Sequence, residues 1–259
     1  MGWENPLAGL VVGMMVGATG VGGGALMTPL LVLLLGVAPH TAIGTDLLYA
    51  SLTKMFGVGV HSLEGRVDWQ VVRRLALGSL PAAVITLIWL HRAGSQGIRE
   101  GTIITALGMV LVLTAVAMVL VPRLLRRGKL THNAESSLLL RFQPPLTVLG
   151  GAVLGLLVAL TSIGAGSLGV VMMLSLYPLR LTAGRLVATD LAHAIPLALV
   201  AGIGHILLGN VDFGLLGQLL LGSIPGVWLG AHFGGKLPDR VLRVAIALVL
   251  GTVGLKLLV

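Results

Sequence analysis

Two stretches of this chain, 144 residues apart, carry the same polar residues at the same spacing inside otherwise apolar sequence. Thr45-Asp46-Leu47, His61, Gly65, Val67-Asp68-Trp69 and Gly78-Ser79-Leu80-Pro81 recur as Thr189-Asp190-Leu191, His205, Gly209, Val211-Asp212-Phe213 and Gly222-Ser223-Ile224-Pro225. Upstream, the run from Thr19 to Leu26 recurs from Thr161 to Leu168, two positions out of that register. A duplication of this length in hydrophobic sequence is the usual architecture of secondary transporters, in which two repeats face each other across a central site.

The duplication matters because the chain has little else with which to clothe a soluble surface. Of its 259 residues 56% are hydrophobic and 10% charged, with a mean hydropathy of +1.03, so a polytopic membrane protein is the expected class. The formal net charge of +8 does not point to nucleic acid, since the basic residues lie at the ends of apolar runs and are not interleaved with aromatics. There is no cysteine, which removes disulfides, thiolate metal sites and cysteine nucleophiles. The start, Met1 to Pro6, lacks a basic segment and is followed by no small-residue cleavage site, so the first apolar run is expected to be retained; nor does it complete a myristoylation signal.

Six apolar runs are long enough to cross a hydrocarbon core on their own: Ala42 to Val60, Val71 to Leu90, Thr102 to Val121, Val187 to Leu208, Phe213 to Phe233 and Val241 to Val259. Two others, Pro6 to Val37 and Leu146 to Leu179, are too long for one span and carry glycine clusters near their middles, which break helices. If each of these enters and leaves on the same side, thirteen basic residues fall on one face of the membrane and three on the other. If each crosses once, the division is nine against seven. The positive-inside rule favours the first arrangement, which inverts the halves relative to each other and places both termini outside.

The expected fold is therefore an all-α membrane protein, a polytopic helical bundle of two inverted-topology repeats. Residues 1–122 and 145–259 form the repeats, each with a glycine-broken re-entrant or paired short-helix segment plus three spans, and residues 123–144 form a basic cytoplasmic linker.

The glycine clusters are the first candidate site. Where a half-helix restarts at membrane depth, its free N–H groups and dipole attract an anion. Gly22, Gly23, Gly24, Gly164 and Gly166 are the backbone candidates, with Thr19, Ser162 and Ser167 as hydroxyl donors. Glycine also serves close helix packing, which stays open as the plainer reading. Asp46 and Asp190 are the second constellation, because a carboxylate at membrane depth is expensive and needs either a partner or a function. They are candidates for coupling or charge tuning, or for pinning each broken segment to the next helix. Lys54, whose repeat counterpart is Ala198, could neutralise either aspartate, bind an anion directly, or snorkel outward. His193, three residues after Asp190, lies on the same helix face and is a candidate partner for it. His61 and His205 are expected as interfacial anchors, Asp68 and Asp212 as helix N-caps beside the belt aromatics Trp69 and Phe213, and Pro81 and Pro225 as matched kinks. No catalytic residue, metal cluster or cofactor motif is present; an intramembrane pair of Ser162 with His193 or His205 is the only enzymatic alternative.

The run from Gly17 to Leu30, followed by Ala42-Ile43-Gly44-Thr45 and His61 to Trp69, resembles the sulfite exporter TauE/SafE family of prokaryotic membrane transporters over essentially the whole chain. The resemblance implies a four-segment repeat, a place in the cytoplasmic (inner) membrane, and transport of sulfite, sulfonates or related small oxyanions. Asp46, where a serine commonly follows the glycine-threonine, and Ala165 in the second cluster depart from that pattern. The expected function is export of sulfite or an organosulfonate, with a small anion and the lipid bilayer as partners. A proton- or cation-coupled importer built around the paired aspartates is the alternative. Nothing in the sequence bears on oligomeric state.

Overall fold

The computed structural model describes residues 3–19, 24–60, 66–97, 100–128, 137–164, 166–177, 180–233 and 239–258, and among them all regular structure is helical. Ten α-helices follow in the order α1 (Glu4–Thr19), α2 (Gly24–Leu33), α3 (Pro39–Val60), α4 (Trp69–Gly97), α5 (Glu100–Gly128), α6 (Ser137–Thr161), α7 (Ser167–Leu176), α8 (Ala183–Leu207), α9 (Phe213–Phe233) and α10 (Asp239–Leu258). Helices are the natural outcome for such apolar segments, because each satisfies its own backbone N–H and C=O groups. Among the described residues four stretches are long and apolar enough to cross a membrane: Trp69–Arg92, Phe142–Thr161, Gly184–Leu207 and Phe213–His232. Three of these coincide with spans expected above. The fourth, Phe142–Thr161, is the front of the second overlong stretch, and α3 falls short because it carries Asp46 and Lys54 in an otherwise apolar helix.

Both overlong stretches are broken where the glycines cluster. The first divides into α1 and the 10-residue α2, the second into α6 and the 10-residue α7. At about 1.5 Å per residue, ten residues reach roughly half of a 30 Å hydrocarbon core. Helix covers both ends of the stretch read as the basic linker, since α5 runs on to Gly128 and α6 begins at Ser137.

The two sequence repeats are not side-by-side domains. Helix α1 of the first packs along α9 of the second, and α6 of the second packs along α4 of the first, while α3 and α8 meet at the centre and α5 meets α10. Small residues make the first two contacts. A Cβ added at Gly9, Gly13 or Gly17 would strike the α9 backbone at Leu219, Ser223 and Val227, and one at Gly222, Gly226 or Gly230 would strike the α1 backbone at Pro6, Leu10 and Met14. Gly78, Gly151 and Gly155 do the same for α4 against α6. These contacts advance in the same direction along both helices, so each pair is parallel. Backbones approach this closely only where side chains are absent, the small-xxx-small mode of membrane helix pairing.

Buried Ile43, Leu47, Ala83, Val158, Leu197 and Ala201 from α3, α4, α6 and α8 fill the centre. A second buried cluster, including Leu26, Leu107, Leu111, Ile163 and Leu250, joins the break in the second stretch to α2, α5 and α10. Large apolar side chains elsewhere, Leu77, Leu149, Leu207 and Leu221 among them, are exposed on the periphery. That is the pattern of a bundle whose solvent is lipid.

Candidate functional site

Asp46 lies in the second turn of α3 and is fully buried. One of its oxygens, Oδ2, accepts three hydrogen bonds: from the Thr28 amide at 3.2 Å, the Thr28 hydroxyl at 2.5 Å and the Ser162 hydroxyl at 3.0 Å. The other, Oδ1, is buried and receives none. One carboxylate thus ties α2 of the first repeat to the break in the second repeat.

The α6–α7 break is itself tightly built. Ser162 takes the left-handed backbone (φ 60), and Gly164 and Gly166 have φ of 125 and 123, values open in practice to glycine. The Ile163 amide donates to the Thr161 hydroxyl at 3.2 Å, and the Gly169 amide to the Gly164 carbonyl at 3.1 Å. Helix α7 then starts at Ser167 behind Gly166 with no side chain capping it. Gly24 opens α2, and Thr19 closes α1. Gly22 and Gly23 lie outside the described residues, as does Ala165.

Asp190 occupies the equivalent turn of α8 and is equally buried, yet among the described residues neither of its carboxylate oxygens has a hydrogen-bond partner. Lys54 is buried as well, so it does not snorkel, and its ammonium acts electrostatically on both aspartates. His193 is not the hydrogen-bond partner of Asp190. It shares that helix face, but its Nε2 pairs with the Ser79 hydroxyl of α4 at 2.8 Å, a short polar side chain within reach across the α4–α8 contact. His205 departs from expectation too: it is buried rather than interfacial, with Nε2 at 2.9 Å from the Ala159 carbonyl and Nδ1 at 3.3 Å from the Asn210 amide nitrogen. Ser162 bonds Asp46 rather than a histidine, so the two histidines proposed for a serine pair are both committed elsewhere. His61 lies outside the described residues.

At the helix starts the N-cap expectation is met. The Asp68 carboxylate accepts from the Val71 amide at 3.3 Å and Asp212 from the Leu215 amide at 2.9 Å, while Trp69 and Phe213 stand exposed. The backbone amides of the same two aspartates reach across the repeats: Asp68 donates to the Thr189 hydroxyl at 3.0 Å, and Asp212 to the Thr45 hydroxyl at 3.1 Å. That reciprocity gives both threonines of the repeated Thr-Asp-Leu motif a task that sequence reading overlooked.

The two ends differ in one respect. Asp68 also receives Arg180 through two hydrogen bonds, Nε to Oδ2 at 2.6 Å and Nη2 to Oδ1 at 2.8 Å, with Arg185 at 3.6 Å. Burial raises the carboxyl's affinity for protons, but the Arg180 hydrogen bonds, the Val71 amide and the two guanidinium charges outweigh it and hold the group below its usual 3.8. No like pair is recorded for Asp212 among the described residues. Nor do three metal-ligating side chains converge anywhere among them.

The family model described as "Sulfite exporter TauE/SafE" matches residues 6–257. "Probable membrane transporter protein YjnA" of Bacillus subtilis is 43% identical over 97% of this chain and 98% of its own length. "Probable membrane transporter protein YdhB" of the same organism is 28% identical over 96% of both chains. "Probable membrane transporter protein MJ0441" of Methanocaldococcus jannaschii is 22% identical over 97% of this chain and 93% of its own length. No solved structure matches the chain.

Proposed function

This chain belongs to the sulfite exporter TauE/SafE family of membrane transporters, and on that premise we propose that it is a secondary transporter exporting sulfite or a small organosulfonate across the cytoplasmic membrane of a prokaryote. The observation that carries the reading is the buried Lys54 of α3, a cation inside the bundle that acts electrostatically on both Asp46 and Asp190. A buried ammonium in a bundle that also restarts helices at Gly24 and Ser167 is chemistry for a small oxyanion. The backbone at Gly164 and Gly166 supplies further donors; Thr19 and Ser167 are the hydroxyl candidates from the sequence, their side chains lying outside the described residues, while Ser162 holds Asp46 in this conformation.

We further propose that residues 1–122 and 145–259 are inverted repeats with both termini outside. The Arg180–Asp68 ion pair supports this topology. If each overlong stretch crossed the membrane once, Asp68 and Arg180 would stand on opposite faces; if each turned back, they stand together. The guanidinium-rich face is then the cytoplasmic one.

An inside-negative potential favours anion exit by about 2.3 kcal/mol per charge per 100 mV. The test is sulfite flux from proteoliposomes at alkaline pH, with the potential imposed by a potassium gradient and valinomycin. Efflux that accelerates when the interior is negative, and fails in Lys54→Gln, is the expected result. Sulfite retention equal to that of empty liposomes would sink the proposal.

A further inference from the structure

We infer that Asp190 is a proton-binding site, loaded when a substrate anion takes over Lys54, so that one proton crosses with each anion. This rests on the anion-transport reading and adds coupling to it.

Asp46 and Asp190 are equivalent in the repeat but not in chemistry. Asp46 Oδ2 is held by three donors from Thr28 and Ser162. In the register that aligns the two broken stretches, the counterpart of Thr28 is Val170 and that of Ser162 is Gly20, so both hydroxyls are missing from the Asp190 side. Gly169 of α7 lies so close that a Cβ there would stand 2.9 Å from Asp190 Oδ1, and its amide is already engaged by the Gly164 carbonyl. Both oxygens of Asp190 are consequently buried without a hydrogen bond among the described residues.

Among the described residues the one charged group acting on Asp190 is Lys54 of α3, which also acts on Asp46. His193, on α8 itself, is turned to Ser79, and α4, α6 and α7 bring no charge to bear on it among the described residues. An ionised carboxylate with no donors is therefore held by the field of one ammonium. An anion seated on Lys54 cancels that field and leaves a bare buried charge, which protonation relieves. The step is a simple one: a proton from water forms an O–H bond at one carboxylate oxygen, and nothing is oxidised or reduced. For a monoanion the Lys54–Asp190 pair is neutral when empty and, with the proton aboard, neutral when loaded. A sulfite dianion with one proton carries one negative charge outward, so the membrane potential still favours its export.

Methanesulfonate, a monoanion with no titratable proton near neutrality, separates the possibilities. In proteoliposomes it is expected to follow an imposed pH gradient, accumulating by up to about tenfold per pH unit, to move protons seen with an internal pH-sensitive dye, and to ignore an imposed potential. In Asp190→Asn the acid-driven accumulation is expected to vanish and any exchange that remains to be flat with pH. Methanesulfonate that follows the potential and moves no protons would overturn the inference, and that wild-type measurement stands even where the variant fails to fold. Where sulfite alone is carried, its pH profile in wild type and Asp190→Asn decides, since the titration of sulfite is common to both; identical profiles overturn the inference alone. Absence of flux for both anions overturns the transport reading and takes this inference with it.

Discussion

At the scale of single residues, the buried polar positions divide into those that hold the bundle and those left with chemistry to spare. Thr28 belongs to the first group, because its hydroxyl and amide both serve Asp46. Thr28→Val keeps the shape and removes the hydroxyl, and is expected to cost about 1–3 kcal/mol, read as a lower melting temperature in detergent; an unchanged melting temperature would contradict the tie. Asp68 gives a pH-dependent counterpart. Its carboxyl is held below 3.8 in the fold by Arg180, so the stability it adds is fully present above the unfolded value and is lost as pH falls through the lower folded one. Acid melting curves should therefore show an extra loss below about pH 4 in wild type that is absent from Asp68→Asn. The contribution is modest, because the Arg180 side chain is 40% exposed and solvent screens the pair.

Among elements, the decisive contacts are the two parallel pairs, α1 with α9 and α4 with α6, where glycine lets backbones touch. Gly13→Leu places a branched side chain against the α9 backbone at Ser223. The expected loss exceeds the roughly 1–3 kcal/mol usual for overpacking, because backbone rather than side chain must yield. Gly57→Ala, with open space around the added Cβ, serves as the control; thermal unfolding of both in detergent makes the comparison. The breaks, too, are visible as elements: a glycine cluster in an overlong apolar run marks a place where a helix cannot continue, and α1–α2 and α6–α7 divide there. The 10-residue lengths of α2 and α7 follow from the next turn signals downstream, Gly36 and the residues after Leu176. Pairing α1 with α9 rather than with a neighbour in sequence was not legible. Glycines spaced by four mark a helix face but do not identify its partner.

Taken as a whole, the molecule interleaves its repeats, and this makes its topology testable. With both broken stretches turning back, Leu34 and Thr182 lie on opposite faces of the membrane; with single crossings they share one. The chain has no cysteine, so Leu34→Cys and Thr182→Cys give clean single sites for an impermeant maleimide in intact cells and inverted vesicles. Labelling of Leu34→Cys in cells and of Thr182→Cys only in inverted vesicles is the expected outcome. The same reagent modifying both in intact cells would overturn the inverted arrangement.

Much of this was already present in the amino-acid order. Hydropathy requires helices in lipid, the duplication announces two like units, and glycine clusters locate the breaks, since each follows from local energetics or from the cost of an unsatisfied backbone. Asp46, Lys54 and Asp190 could likewise be singled out, because charge in an apolar run is expensive wherever the run ends up. Which donors each would find could not. Thr28 and Ser162 reach Asp46 from 18 residues upstream and 116 downstream, and His193 turns from its helical neighbour Asp190 to Ser79, 114 residues away. Periodicity reports which side chains share a face, but hydrogen bonds form with whatever that face meets. Only packing could make two carboxylates that read alike into one that is satisfied and one that is bare.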